Sequence, residues 1–578
     1  MKELTYSQII AENRRLEKLA KDKPLRILVV ANTVVENLRD YLEYELRSHG
    51  MHAAVDIAAY DNAMQESSRL QHDVLILWLD TWNLAPALHT GHLFEDPEVL
   101  QALEKNVKTQ INTIVKDNEH LPLIVINTFN NLLDPGFPFK KSNMQTLAGN
   151  LNAYLYSISA PNVFVFDTGH ILLSLPEKSA ISRKQFYLFN TLYTNLFFSR
   201  YSHHLKFVLL GLKGKTKKAL IMDCDNTLWS GIVGEDGFDS IRMGYDSPEG
   251  RPFHEVQQML LGLARQGVVI GICSKNNPKD VQQVIDHHPD MLLGDENITI
   301  KKVNWEPKPH NVKQIAKELN IGTDSLVFWD DNEFEVQMMR EMLPEVLSFQ
   351  VPGKTYEYPG VFREQMGWFF KRNITAEDLQ KADLYKAQSR REKEKDRFTD
   401  ITEYLQSLSL EIIIEHQPQK HLGRLAQISQ KTNQFNLSTK RYEVADIKSM
   451  IADEHTDVLP FHVKDRFGEY GLTGLCIVRY DASTAFLDTF LMSCRVLGRQ
   501  LEQAFINHLL ARLREKGVSR LEAEYVPTPK NQQVARFFGE MGFAARETNE
   551  GTTVFSCQVK HFSPASTDFI TISSSNDE

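Results

Sequence analysis

Residues 219–227, Ala-Leu-Ile-Met-Asp-Cys-Asp-Asn-Thr, form an apolar run that ends in DxDxT. Two carboxylates at the end of a buried strand are costly unless a cation or a chemical task compensates them. This stretch therefore restricts the chain to folds that gather other charged groups at that strand's end. Asp223 and Asp225 carry the charge, and Thr227 follows at the start of a loop. The pattern fits a phosphate site in which Asp223 attacks phosphorus, Mg2+ neutralises the oxygens and Asp225 moves the leaving-group proton. DxD alone fits equally well a pair of aspartates capping a strand end.

Three later segments favour the chemical reading. Val268 to Ser274 (VVIGICS) is a second buried strand, ending in a hydroxyl suited to a phosphate oxygen. Lys308 lies between two prolines ahead of a helical stretch, where a cation and a helix N-terminus together stabilise a phosphorylated aspartate. Ser325 to Asp331 (SLVFWDD) is a third buried strand, ending in paired acids. A hard divalent cation takes oxygens from separated segments, and Asp330 or Asp331 supplies what Asp223 and Asp225 lack. Strand-end Asp, strand-end Ser, Lys, then strand-end Asp-Asp, in that order, resembles the haloacid dehalogenase (HAD) superfamily. The resemblance implies Mg2+ held by the Asp223 carboxylate, the Asp225 carbonyl and Asp331, with Asp330 behind them.

At 578 residues the chain should hold about three or four domains. A net charge of -10 leaves no electrostatic footprint for nucleic acid. The five cysteines (224, 273, 476, 494 and 557) include no CxxC pair, which argues against structural zinc or a disulfide framework and for a reducing cytosol. The charged N-terminus has no apolar signal core, and no run approaches the 18 apolar residues of a membrane span. The expectation is a cytoplasmic protein that avoids both nucleic acid and membrane.

Apolar runs at Leu25–Val30, Val74–Leu79, Leu123–Asn127 and Val163–Asp167 alternate with helical spans, as in a parallel sheet covered on both faces. The expected fold is α/β with three domains. Residues 1–210 form the first parallel sheet, 211–375 a second Rossmann-like parallel sheet without a large cap, and 409–562 an α+β domain. A charged helical connector spans 376–408, densest at Ser389–Asp396, and the polar tail 563–578 should be disordered.

In the third block, Thr484–Leu491 reads as a strand running through Arg495-Val496-Leu497-Gly498-Arg499-Gln500 into a helix from about Leu501 to Lys516. A strand, an RxxG turn and a helix make an anion cradle of backbone N–H groups. The turn resembles the pyrophosphate loop of GNAT acetyltransferases, with Gln500 where that loop has Gly or Ala. Asn531–Phe543 (NQQVARFFGEMGF) resembles the closing helix and Gly-Phe strand of the same fold. In the first block, Asp167-Thr168-Gly169-His170 has the DxxH form of SGNH hydrolases. Their nucleophile would follow the first strand, where this chain has Ala31-Asn32-Thr33. Without a serine there, the Ser-His-Asp mechanism lacks its central atom, so an SGNH-like shell that does not hydrolyse is expected.

The order of blocks resembles something narrower. Asp225-Asn226-Thr227-Leu228-Trp229, GIVGEDG at 231–237, Cys273-Ser274-Lys275-Asn276, Asn433-Gln434-Phe435-Asn436 and Ser493-Cys494-Arg495-Val496-Leu497-Gly498 are similar to strings of the FkbH family, and the resemblance runs from about residue 25 to 560. It implies a phosphatase and acyltransferase that takes D-1,3-bisphosphoglycerate and delivers a glyceryl group to an acyl carrier protein, with the acyl group pausing on a cysteine. Asp223, Asp225, Lys308 and Cys273 would then be catalytic, with Cys224 and Cys494 as alternatives to Cys273. Thr227, Ser274 and Asn276 would bind the phosphorylated substrate, and Arg495 and Gly498 the phosphopantetheine arm. The short intervals between Asp223, Ser274 and Lys308, the first occupied by the hairpin-like run GIVGEDG and one helix from about Phe253 to Gln266, hold no large cap domain, so the site should be open to a bulky substrate. A plain Mg2+-dependent phosphatase with docking blocks, and an assembly scaffold with a vestigial site, are the competing readings.

Overall fold

The computed structural model describes residues 4–20, 22–59, 71–85, 88, 96–134, 139–372, 374, 384–387, 401–416, 419–466, 468–493, 496–528, 531–547 and 551–575. The chain divides into two compact units, Met1–Lys215 and Thr216–Glu578. In the first unit β1 (Leu25–Ala31), β2 (Ala53–Ala59), β3 (Val74–Trp78), β4 (Leu123–Asn127) and β5 (Val163–Phe166) form one sheet in the order β2-β1-β3-β4-β5. Every pairing is parallel. All five residues of β3 and of β4 are buried, as expected of strands covered on both faces.

The second unit holds two sheets. The first contains β6 (Ala219–Met222), β7 (Val269–Ser274), β8 (Ile298–Val303), β9 (Leu326–Asp330) and β10 (Leu347–Gln350), all parallel, in the order β10-β9-β6-β7-β8. The chain therefore leaves β6 toward β7 and β8 on one side, and returns through β9 and β10 on the other. In open α/β sheets, the crevice outside the strand ends at such a reversal is where ligands bind. Gly271 in β7 has a packing reason: a Cβ there would lie 2.8 Å from the Ile221 side chain on the neighbouring strand. The helices Arg251–Arg265 and Pro278–His287 and one helical turn at Val233–Asp236 occupy the connections, so no separate cap domain is inserted.

The second sheet of this unit is mixed. It contains β11 (Glu411–Glu415), β12 (Phe435–Asn436), β13 (Thr456–Asp465), β14 (Gly468–Asp481), β15 (Thr484–Met492), β16 (Arg520–Tyr525), β17 (Ala544–Glu547), β18 (Thr553–Gln558) and β19 (Thr571–Ser575). β15 and β16 pair in parallel only as far as Leu487 and Ala523. Beyond that point β12 pairs with β15 instead, and the N–H of Val526 donates to the Leu437 carbonyl at 2.8 Å. The expected α/β architecture with two parallel sheets and a third α+β block is thus what the chain adopts.

Three expectations need correction. The tail is ordered through Ser575: β19 pairs in parallel with β11, and Phe569, Ile570 and Ile572 pack on the core of the mixed sheet. The polar composition concealed this apolar cluster, which gives the edge strand β11 a partner. GIVGEDG is not a simple hairpin. Ser230 and Arg242 exchange both backbone hydrogen bonds, and the excursion between them includes a helical turn. Asn531–Phe543 is not one helix but a 3-10 turn (Gln532–Val534) and a short helix (Phe537–Glu540), ending where Gly542 takes φ +83°. The charged run Ser389–Asp396 lies outside the described residues.

Candidate functional site

The apolar β6 places Asp223 one residue past its end, and the Asp223 N–H donates to the Trp329 carbonyl of β9 at 2.9 Å. Asp223 and the Asp330-Asp331 pair therefore meet at the reversal between β6 and β9. One carboxylate oxygen from each lies within 4.8 Å of the others, and among the described residues no other group of three or more His, Cys, Asp or Glu ligands is so placed. Asp223 is 5 % exposed, and Asp330 is fully buried. Lys308, the first residue of the helix Lys308–Glu318, sends its Nζ to Asp330 Oδ2 at 2.6 Å and Asp223 Oδ1 at 3.1 Å. Burial works against its ammonium, but the charges of Asp223 and Asp330 outweigh that and hold its pKa above the ordinary lysine value.

Burial, then repulsion from Asp223, raises the pKa of Asp330 and of Asp331. Asp330 is already engaged by Lys308 and by the Asn332 N–H at 3.0 Å. Asp223 Oδ1 is buried and faces the Lys308 ammonium at 3.1 Å. Clustered acids have the donor chemistry that a hard divalent cation requires.

Asp225 is differently held. Its Oδ1 accepts from the Trp229 indole N–H at 2.9 Å and the Val233 N–H at 3.1 Å, and its Oδ2 accepts from the Asn276 amide at 2.8 Å. Burial raises its pKa, the Val233 and Trp229 hydrogen bonds oppose that, and Asp223 adds to it. The carboxyl is fixed in direction, as proton transfer at a defined atom requires. Asn226, in the left-handed region at φ +50°, folds the loop back by accepting the Gly231 N–H at 2.9 Å. Thr227 Oγ1 is buried and unpartnered, and Ser274 is 2 % exposed at the end of β7. The structure thus brings together Asp223, Asp225, Thr227, Ser274, Asn276, Lys308, Asp330 and Asp331.

Cys273 does not belong with them. It faces the core beside Val312, Ile315 and Met339 and is wholly buried, with burial driving its thiol pKa up. Cys224 is equally buried, and its thiol is raised by burial and by Asp223. Acyl transfer needs an accessible thiolate, and neither buried thiol offers one in this structure: alternation along β7 turns Cys273 toward the helices while Ser274 faces the strand end. Arg495 and Cys494 lie outside the described residues. Gly498 adopts φ +76° and Gln500 φ +61° just ahead of the helix Leu501–Glu515. The Asn436 amide holds its own loop, accepting the Thr439 N–H at 2.9 Å and donating to the Thr432 carbonyl at 3.4 Å.

Residues missed from the sequence are Trp229 and Val233, which bond Asp225; Glu335, which bonds Lys275; and Arg499 in the turn. Arg499 is 6 % exposed and stacks on the Tyr470 ring at 4.9 Å. The tryptophan lay within a quoted string, but its indole contact depends on the loop closing back. In the first unit, Asp167 caps a helix through the Gly169 N–H at 3.0 Å. Among the described residues no hydrogen bond joins Asp167 to His170. Asn32 is bound to Asp80 by two hydrogen bonds, 3.0 and 2.7 Å.

No family model matches the chain, and no curated protein matches it. Among solved structures, the N-terminal part of protein BF1531 from Bacteroides fragilis, containing a phosphatase domain complexed with Mg, is similar over 64% of this chain and 100% of that one, at 22% identity and a TM-score of 0.58. That likeness is one of fold. The ribosomal-protein-S18-alanine N-acetyltransferase of Escherichia coli matches 27% of this chain and 97% of its own at 15% identity, but with a TM-score of 0.21 it decides nothing. Among the described residues no helix is long and apolar enough to cross a membrane.

Proposed function

We propose that this chain is a Mg2+-dependent phosphatase and acyltransferase of the HAD and FkbH type, acting on a phosphorylated acyl donor such as D-1,3-bisphosphoglycerate and loading the acyl group onto an acyl carrier protein. The observation that carries the reading is the meeting of Asp223, Asp330, Asp331 and Lys308 at the reversal between β6 and β9. The Mg2+ complex of the Bacteroides phosphatase-domain protein supports the choice of metal. Asp223, the Asp225 carbonyl and Asp331 would hold the ion, which supplies charge neutralisation at the phosphoryl oxygens.

This chain's own residues do the rest. Asp223 attacks the phosphorus of a phosphate ester, the ester P–O bond breaks, and Asp225 gives its proton to the departing alkoxide. Water, deprotonated by Asp225, then attacks the aspartyl-phosphate and releases inorganic phosphate. Ser274 and Lys308 bind the phosphoryl oxygens. Attack at the phosphorus of an acyl phosphate would release the free acid and forfeit the acyl group's activation. The mixed anhydride of a doubly phosphorylated donor is therefore reserved for a thiol, which attacks the carbonyl carbon and expels the second phosphate. All four cysteines among the described residues are buried, which favours the carrier's own phosphopantetheine thiol. The turn at Gly498–Gln500, with Arg495, would take the arm's phosphate at the start of the helix Leu501–Glu515.

The second reading, a plain phosphatase with flanking docking blocks, draws on the same buried cysteines. Intact-mass spectrometry of the carrier after mixing enzyme, Mg2+ and D-1,3-bisphosphoglycerate separates the two. A glyceryl adduct on the holo carrier that is absent from the apo carrier is expected; phosphate release with no adduct leaves the plain phosphatase.

A further inference from the structure

The Asp223 site contains a second lysine that the mechanism above does not use. Lys275 follows Ser274 directly, and its Nζ lies 2.7 Å from Glu335 Oε1. Lys275 leaves the end of β7, and Glu335 sits in the helix Glu333–Met342 that follows β9. β7 and β9 flank β6 on opposite sides, so this ion pair reaches across the end of the strand that presents Asp223. We infer that Lys275, held in place by Glu335, is a substrate-binding residue of this site, and that it reads a second anionic group on the substrate, separate from the phosphoryl group removed. The inference rests on the phosphatase reading.

Lys308 is 3 % exposed and fully engaged by Asp223 and Asp330, so it serves the acids and the phosphoryl group. The Lys275 side chain is 34% exposed and retains ammonium protons to give after its bond to Glu335. Lys308 faces Asp223 and Asp330, Lys275 faces Glu335, and Asp331 lies beside Asp223 and Asp330, so acidic side chains outnumber the two ammonium groups and an anionic substrate meets net repulsion from them. A cation at the mouth offsets it where a second negative group arrives. Glu335 is 5 % exposed, and its Oε2 is buried without a partner. Burying a carboxylate this deeply is unfavourable for an ordinary surface ion pair; it makes sense where the lysine must be aimed.

The test uses the full chain with Mg2+ and a matched pair of substrates: D-3-phosphoglycerate, and sn-glycerol 1-phosphate, which has the same configuration and a neutral hydroxymethyl group in place of the carboxylate. Lys275→Ala should raise KM for phosphoglycerate by about 10–100-fold, with kcat little changed and glycerol phosphate within about twofold. Lys275→Arg should restore most of the loss, and Glu335→Gln should fall between, with all variants melting near wild type. Equal effects on both substrates, or none on either, from an active wild type would overturn the assignment alone. No Mg2+-dependent phosphate release by wild type from either substrate or from acetyl phosphate would overturn the phosphatase reading, and the assignment with it.

Discussion

The two parallel sheets reach the same point in their topology and treat it oppositely. At the reversal between β1 and β3, the Asn32 carboxamide clasps the backbone of Asp80 with one donated and one accepted bond, and the Asp80 side chain caps the turn after β3 through the Trp82 N–H. Asn127 at the end of β4 accepts from the buried Tyr201 hydroxyl at 2.9 Å, and its Nδ2 is buried without a hydrogen bond. At the reversal between β6 and β9, carboxylates face one another around a single buried lysine. Neutral amides that satisfy backbone close a crevice and stabilise it. Unsatisfied like charges destabilise the fold and persist where a cation and a substrate complete them. Two parallel sheets of different strand order thus present a crevice bridged by amides in one case and clustered charge in the other.

The comparison is tested most strongly by exchanging an acid for its amide in each sheet. Asp223→Asn should lower phosphate release by about 10⁴-fold or more, while Asp167→Asn in the first sheet stays within about twofold. Comparable losses from both would remove the distinction.

Excess chelator should silence phosphate release, and Mg2+ should restore it. Mg2+ at about 100 times its dissociation constant should also stabilise the fold by about 2.7 kcal/mol, read as a rise in melting temperature. Asp331→Asn should remove that rise; a rise that survives would place the cation elsewhere.

Trp229→Phe deletes the indole donor to Asp225 while keeping the buried ring. Hydrogen bonds to charged groups contribute about 1.5–3 kcal/mol, so turnover of an alkyl phosphate should fall about 10–100-fold. An aryl phosphate, whose leaving group needs less protonation, should be spared. Uniform losses would reduce Trp229 to packing.

In the first unit the charged groups bear on stability rather than chemistry. Burial, then His203, His170, Arg200 and Lys206, lower the His204 pKa from 6.5 to about 4. Below pH about 6.5 the unfolded chain takes up a proton that the folded chain refuses until about pH 4, so stability falls across that window, by about 1–2 kcal/mol after solvent screening. Thermal melts of His204→Phe should show a flatter pH dependence between those limits; an unchanged slope would rule the residue out. The smallest effect belongs to Cys273→Ala, expected to cost about 1 kcal/mol of stability through a small cavity and to leave turnover within about twofold. Loss of acyl transfer in a stable Cys273→Ala protein would overturn its placement as a core residue.

The parallel sheets and most of the acid site were legible in the chain because strands covered on both faces need continuous apolar runs, and charges at their ends stand out against them. Asp223, Asp225, Ser274 and the Asp330-Asp331 pair sit at such ends, and Lys308 at the start of a helix after a proline, all fixed by local pattern. The strand β19 was not legible, since an edge strand takes its stability from a partner about 160 residues earlier in the chain and from apolar residues scattered in a polar tail. Nor was the fate of Cys273, because a one-residue step along a strand reverses the face a side chain takes, and only the packing of Val312, Ile315 and Met339 shows which face is core. The indole bond of Trp229 to Asp225 and the reach of Lys275 to Glu335 depend on where loops from different strands close. Sequence therefore determined which residues carry charge at the strand ends, because burial penalties act on each segment separately. Tertiary structure decided which of them meet, which stay satisfied and which thiols are sealed away, because those outcomes depend on contacts between segments remote in the chain.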